Sequence, residues 1–189
     1  MTTVPYGARS SAIAMLDALG KKHPVPLAAI VQVTRRCNLR CRHCFQVERA
    51  GPELSTEQWK VVLRRLADAG VLFLTFTGGE PFLRKDFLEL VREARALSFA
   101  VKIKTNGVLL DEATTEALAA AAVMEVHFSF YSADAGLHDR VTVLPGSHAR
   151  TVAAARRLRD RGVHVLLNCP LQADTFDGYA DVIEFAQAE

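Results

Sequence analysis

From Leu27 onward, short runs typical of β-strands alternate five times with longer runs that have the periodicity of helices. Strands that each lead into a helix are typical of βαβ units and a parallel sheet. Right-handed crossovers curve such a sheet into a barrel or a doubly wound arrangement. We therefore predict an α/β fold with about five parallel strands. The predicted strands are residues 27–34, 71–77, 100–105, 125–131 and 163–169.

Helical periodicity fills the intervals between these strands. The first of these helices should begin at Ser55, because Ser55 and Gln58 have the spacing of a capping box. An amphipathic helix is also predicted at residues 9–21. We divide the chain into a lead-in, residues 1–26, and a core, residues 27–189. The remaining helices are predicted from Asp86, at 112–122, at 148–161 and at 176–188.

Composition narrows the class of protein. The chain has 189 residues, 50% of them hydrophobic, and a net charge of +2, which suits one sizeable core. Lys and Arg are scattered, so nothing favours a nucleic-acid partner. No run reaches the roughly 18 apolar residues that cross a membrane, and the N-terminus lacks the pattern of a secretory signal. We expect a cytoplasmic protein whose thiols stay reduced.

Ligand sites of parallel α/β folds lie at the carboxyl ends of the strands. Directly after the first strand, Cys37, Cys41 and Cys44 form a CxxxCxxC loop. Three thiolates this close in sequence should converge on one centre, and thiolates suit zinc or iron–sulfur centres. An ordinary [4Fe–4S] cluster takes four cysteines, so a cluster held here would keep one iron open for another ligand.

Other interpretations of the cysteines stay open at this point. His43 could complete a Cys3His zinc site, although it lies between two of the ligands. Cys41 and Cys44 alone form a CxxC redox motif, which leaves Cys37 unexplained. Cys169 could be a fourth ligand, but it shares its strand face with apolar residues and is interpreted as a small buried one.

Further polar residues follow the second and third strands. Gly78 and Gly79 permit close backbone approach to a ligand, and Glu80 then adds a carboxylate. The same four-residue segment, GGEP, could equally be a structural turn. Asn106 precedes Gly107, and Asn-Gly is a strong turn signal. These residues are candidates for ligand contact at the ends of their strands.

The fourth strand alternates between two sets of residues, so one set should face the helices and the other the cleft. After it, Arg140 could pair with a carboxylate, cap the next helix or lie on the surface. Asn168 ends the fifth strand and could reach the cleft or form a turn before Pro170. The apolar set is Val126, Phe128 and Phe130, and the polar set is His127, Ser129 and Tyr131.

The segment TRRCNLRCRHCF, residues 34–45, resembles the radical S-adenosylmethionine (SAM) superfamily, particularly its peptide-modifying members. The GGE at 78–80 and the TNG at 105–107 resemble its further motifs, and the resemblance extends over about residues 26–171. It implies that the three cysteines hold a [4Fe–4S] cluster whose open iron is chelated by SAM. One electron from the reduced cluster then yields a 5′-deoxyadenosyl radical, which abstracts hydrogen from a peptide or protein substrate.

The resemblance also implies roles for particular residues. Gly78, Gly79 and Glu80 would hold the methionyl end of SAM. No catalytic side chain is predicted, because the chemistry belongs to the cofactors. The remaining candidates for SAM contacts are Asn106, Ser129, Arg140 and Asn168.

The superfamily core has six βα units, so five units imply a partial (β/α) barrel that is truncated relative to that core. The chain could be a fragment or a naturally shortened form, or a partner chain or self-association could complete the barrel. An external electron donor is a further expected partner. Two other functions stay open. The chain could be a shortened, non-catalytic partner subunit or peptide-binding scaffold, or it could be a zinc-binding α/β protein.

Overall fold

The computed structural model describes residues 25–46 and 50–189, and its strands form one parallel sheet in chain order. The two outer strands, β1 and β5, each pair with one described neighbour, so the sheet does not close. The predicted α/β fold of about five parallel strands is confirmed, and each strand lies within its predicted range. The strands are β1 (Ala28–Gln32), β2 (Phe73–Thr77), β3 (Ala100–Thr105), β4 (Glu125–Ser129) and β5 (His164–Asn168).

Helices follow the strands as predicted, with one addition. Ser55 caps the first helix through a complete capping box with Gln58. The helix predicted at residues 9–21 lies outside the described residues. No described helix is long and apolar enough to cross a membrane. The helices are α1 (Thr56–Asp68), α2 (Phe87–Ala96), α3 (Glu112–Ala120), α4 (Ala135–Thr142), α5 (Ser147–Asp160) and α6 (Tyr179–Ala188).

The short helix α4 was not predicted. It begins after Asp134, whose carboxylate accepts a hydrogen bond from the Leu137 amide at 2.6 Å. It ends at Val143, which has a φ of +57° and so lies in the left-handed region. Eight residues make little more than two turns, too few to show a clear helical period in the sequence.

The sheet has one face covered by helices and one polar face. Leu74, Val101 and Val126 are fully buried on the covered face and belong to the main hydrophobic core. On the other face, Lys102 and Glu125 are register partners and form an ion pair of 3.0 Å. The apolar set predicted for the fourth strand therefore faces the helices, and the cleft forms on the polar side.

Candidate active site

A cleft of about 400 Å³ opens at the carboxyl ends of the strands, where the sequence predicted the chemistry to lie. The cysteine loop after β1 and the glycines after β2 both face it. Every predicted site residue except Glu80 and Arg140 lines this cleft. The predicted residues in its lining are Cys37, Cys41, Cys44, Gly78, Gly79, Asn106, Ser129 and Asn168.

The cysteine loop is hydrogen-bonded to the end of α4. The backbone amides of Arg40 and Arg42 donate to the carbonyls of Thr142 and Val141 at 3.3 and 3.1 Å. These carbonyls lie in the last turn of α4, where a helix leaves carbonyl groups without an internal partner. The helix that was missing from the sequence prediction therefore holds the loop in place.

The glycines after β2 are also required by the cysteine loop. The amide of Gly79 donates to the carbonyl of Thr34 at 2.9 Å, and that of Glu80 donates to Arg36 at 2.7 Å. A Cβ atom on Gly78 would lie 2.5 Å from the Thr34 carbonyl oxygen, and one on Gly79 would lie 2.3 Å from that of Arg36. Such contacts are far inside van der Waals distance, so only glycine lets the loop lie here.

Buried Arg84 ties together the two ends of the segment that carries the loop. Its guanidinium donates to the carbonyl of Val33 at 3.2 Å and to that of Leu54 at 3.1 Å. It also forms ion pairs with Asp86 at 2.6 Å and with Glu53 at 3.5 Å. Two carboxylates thus compensate the buried charge, and the loop is fixed at both ends.

The three thiols form a donor set suited to an iron–sulfur cluster. All three are half-buried, and none of them is in a disulfide within the described part of the chain. Burial raises the pKa of Cys41; a hydrogen bond from Tyr131 opposes this, and the charges of Cys37 and Cys44 add to it. Among the described residues, no three His, Cys, Asp or Glu side chains are grouped around one point to hold a single ion. A [4Fe–4S] cluster attaches each thiolate to a different iron, so three cysteines that line one cleft supply the ligand type it takes.

Asn106 connects the cysteine loop to the end of β3. Its Nδ2 donates to Asn38 Oδ1 at 2.8 Å and lies 3.9 Å from Cys37 Sγ. Its carbonyl accepts a hydrogen bond from Thr151 on α5 at 2.7 Å. The Nδ2 of Asn38 is buried and has no hydrogen-bond partner within the part of the chain that the structure describes.

Glu80 lies beneath the cleft instead of projecting into it. Its side chain is fully buried. One carboxylate oxygen accepts hydrogen bonds from Thr105 Oγ1 at 2.8 Å and from the Phe82 amide at 3.2 Å, and the other accepts from the Asn106 amide at 2.8 Å. Burial raises the pKa of Glu80 to about 7, against the opposing effect of these donors. The carboxyl group therefore joins the end of β2 to the turn after β3.

Three other residues considered in the sequence analysis differ in their position relative to the cleft. Arg140 is exposed on α4 and does not line the cleft. His43 does line it, with its ring 4.9 Å from that of Tyr131. Cys169 is half-buried, packs against a small second apolar cluster and lies outside the lining. A second, mostly apolar cavity of about 260 Å³ beside β5 contains none of the predicted site residues.

Two residues of the site were predicted only as members of a strand face or a motif, and not as individual ligand contacts. Tyr131 lines the cleft, with its hydroxyl 4.0 Å from Cys41 Sγ. Thr105 donates to the buried carboxyl of Glu80. Both had a signal in the sequence, because Tyr131 belongs to the polar set of the fourth strand and Thr105 begins the TNG segment.

Comparison with known proteins identifies a family and individual relatives that this chain resembles. The sequence model of the "Radical SAM superfamily" matches residues 31–186. The PqqA peptide cyclase of Rhodopseudomonas palustris is 39% identical over 167 residues, which cover 87% of this chain and 44% of that protein. The PqqA peptide cyclase of Granulibacter bethesdensis is 36% identical over 166 residues, covering 86% of this chain and 44% of that protein.

The fold is also shared with a solved structure. SuiB of Streptococcus suis, crystallised with its precursor peptide SuiA, has a TM-score of 0.78 at 24% identity; the match covers 98% of this chain and 43% of that one. This chain thus spans less than half the length of the relatives it matches. The family match covers most of the chain and includes the cysteine loop, the glycines and every strand end that forms the cleft. The chain therefore belongs to the radical SAM superfamily.

Proposed function

We propose that the chain binds a [4Fe–4S] cluster through Cys37, Cys41 and Cys44, and binds SAM in the same cleft. When bound, the reduced cluster supplies one electron that cleaves SAM to methionine and a 5′-deoxyadenosyl radical, which takes a hydrogen atom from the substrate. One observation carries the proposal: the three thiols of the CxxxCxxC loop and the backbone of Gly78 and Gly79 face one cleft.

The chain's own residues bind and orient SAM. Gly78 and Gly79 line the cleft directly after β2, where their backbone can contact the methionyl end. Asn106, Ser129 and Asn168 bring amide and hydroxyl groups to the cleft from the ends of β3, β4 and β5. Such groups donate and accept hydrogen bonds and suit the ribose and carboxylate of SAM.

The proposed substrate is a peptide or protein. This is supported by two relatives named as peptide cyclases, at 39% and 36% identity. SuiB, which shares the fold, was solved with a precursor peptide bound. Reductive cleavage of SAM also consumes one electron each time, so an external electron donor is a second proposed partner.

The test is anaerobic reconstitution of the chain with iron and sulfide, followed by reduction in the presence of SAM. We expect about four iron and four sulfide per chain, as the cluster formula requires, and release of 5′-deoxyadenosine. Changing Cys37, Cys41 and Cys44 together to Ala should abolish the bound iron, the bound sulfide and the release of 5′-deoxyadenosine. The matched control is Cys169→Ala, because this fourth thiol lies outside the cleft lining and its loss should leave cluster content unchanged.

The outcomes separate the alternatives. Zinc without sulfide would contradict the proposal and favour a zinc protein. A full cluster without 5′-deoxyadenosine would favour a non-catalytic scaffold. If the chain without the three thiols still binds iron and sulfide, the three cysteines are not the cluster ligands and the proposed site is wrong.

A further inference from the structure

Tyr131 places a hydroxyl group against one of the proposed cluster ligands. The residue lies just beyond β4 and its side chain is almost fully buried, with 5% exposed. Its hydroxyl oxygen is 4.0 Å from Cys41 Sγ, a distance at which a hydroxyl still donates a weak hydrogen bond to sulfur. When the sulfur is bound as a thiolate it carries no proton, so the phenol is the only possible donor of this pair.

The position of the Tyr131 ring is fixed by its surroundings. It packs edge-on against His43, with ring centroids 4.9 Å apart, and lies 5.4 Å from the ring of buried His138. The Tyr131 amide donates to His138 Nδ1 at 3.4 Å, and its carbonyl is 3.9 Å from the Sγ of Cys169. Ring and backbone contacts on both sides therefore hold the hydroxyl oxygen beside Cys41.

A hydrogen bond to a cluster sulfur changes the energy of reduction. The reduced cluster carries one more negative charge than the oxidised cluster, and part of that charge resides on the sulfur ligands. A donor at the sulfur therefore stabilises the reduced state more, and hydrogen bonds to the sulfurs are among the factors that set cluster potentials. We propose that the Tyr131 hydroxyl donates to the Cys41 sulfur of the bound cluster and raises its reduction potential. This inference rests on the proposed function, since it requires the cluster.

The test compares the reduction potential of the cluster in three chains. Tyr131→Phe removes the hydroxyl and keeps the ring that packs between the histidines. Tyr179→Phe makes the same change at a half-exposed tyrosine that does not line the cleft, and serves as the control. Each of the three chains is reconstituted anaerobically, its iron and sulfide are measured, and the reduced signal is followed by electron paramagnetic resonance in a redox titration.

The expected result is equal cluster content in all three chains and a lower potential for Tyr131→Phe alone. A hydrogen bond with a net worth of about 1 kcal/mol changes the ratio of reduced to oxidised cluster about threefold to tenfold. At about 59 mV per factor of ten for one electron, the potential should fall by about 30 to 60 mV. An unchanged potential in a fully loaded Tyr131→Phe chain overturns the inference and leaves the proposed function standing.

Two further outcomes are decisive. If no chain binds a cluster, the proposed function fails and the inference fails with it. If only the Tyr131→Phe chain fails to load, 3-fluorotyrosine is introduced at position 131 alone. It has nearly the same shape and its hydroxyl is a stronger donor, because fluorine withdraws electron density from the ring. It should raise the potential, and an unchanged value overturns the inference.

Discussion

The buried carboxyl group of Glu80 should make stability depend on pH in an unusual direction. Burial raises its pKa from an ordinary value of 4.5 to about 7. In the unfolded chain the group ionises near its ordinary value. Between these two values the folded chain binds more protons than the unfolded one, so the free energy of unfolding falls as pH rises through this window. Most paired carboxylates have the opposite effect.

The size of the effect follows from the interval between the two pKa values. At about 1.4 kcal/mol per pH unit, ionisation of Glu80 should remove about 3 kcal/mol of folding stability between pH 4 and pH 8. Glu80→Gln cannot ionise and lacks this contribution. In this variant the amide nitrogen of Gln, which is a donor, faces at least one of the three donors that the carboxylate accepted from. This mismatch should lower the unfolding free energy by about 1–3 kcal/mol at every pH.

The assay is urea unfolding of the cluster-free chain under reducing conditions at several pH values. The quantity to compare is the difference in unfolding free energy between the native chain and Glu80→Gln, because the other titrating groups are common to both. We expect this difference to fall by about 3 kcal/mol from pH 4 to pH 8. A difference that stays constant or rises with pH would refute the reasoning, because it would mean that the three donors hold the pKa of Glu80 at or below its ordinary value.

Three further predictions concern packing and backbone conformation. Gly79→Ala would place a Cβ 2.3 Å from the Arg36 carbonyl oxygen, so it should displace the cysteine loop and lower the iron bound per chain severalfold. Ser55→Ala should lower the unfolding free energy by about 1 kcal/mol in urea titrations, because it removes the cap shared with Gln58. Val143→Gly should raise it by up to about 1 kcal/mol, since valine is strained at a φ of +57°. Unchanged iron content in Gly79→Ala would contradict the first prediction. Unchanged midpoints of urea unfolding in Ser55→Ala or Val143→Gly would contradict the other two.

The strands and long helices could be predicted from sequence because each has a signal of its own. All observed strands lie within their predicted ranges, and the Ser55 capping box forms as its spacing indicates. The ends of parallel strands meet at one edge, so the positions of the cysteines, the glycines and Asn106 in the chain were enough to predict that they share a cleft.

Features that depend on contacts between distant segments were not predictable. The burial of Glu80 depends on donors that come from the end of β3, about 25 residues further along the chain. The need for glycine at Gly79 arises from the approach of the Arg36 carbonyl, which sequence alone does not reveal. Helix α4 was too short to show a period, and its contact with the cysteine loop is made through backbone atoms, which leave no sequence pattern.

The central claim is that this cleft binds a cluster with an iron open to SAM. The most direct measurement is electron paramagnetic resonance of the anaerobically reconstituted, reduced chain, recorded with and without SAM. We predict a reduced-cluster signal whose g-values change when SAM is added, because SAM would then coordinate the iron that Cys37, Cys41 and Cys44 leave free. A cluster signal that is indifferent to SAM, or no cluster signal at all, would contradict the account.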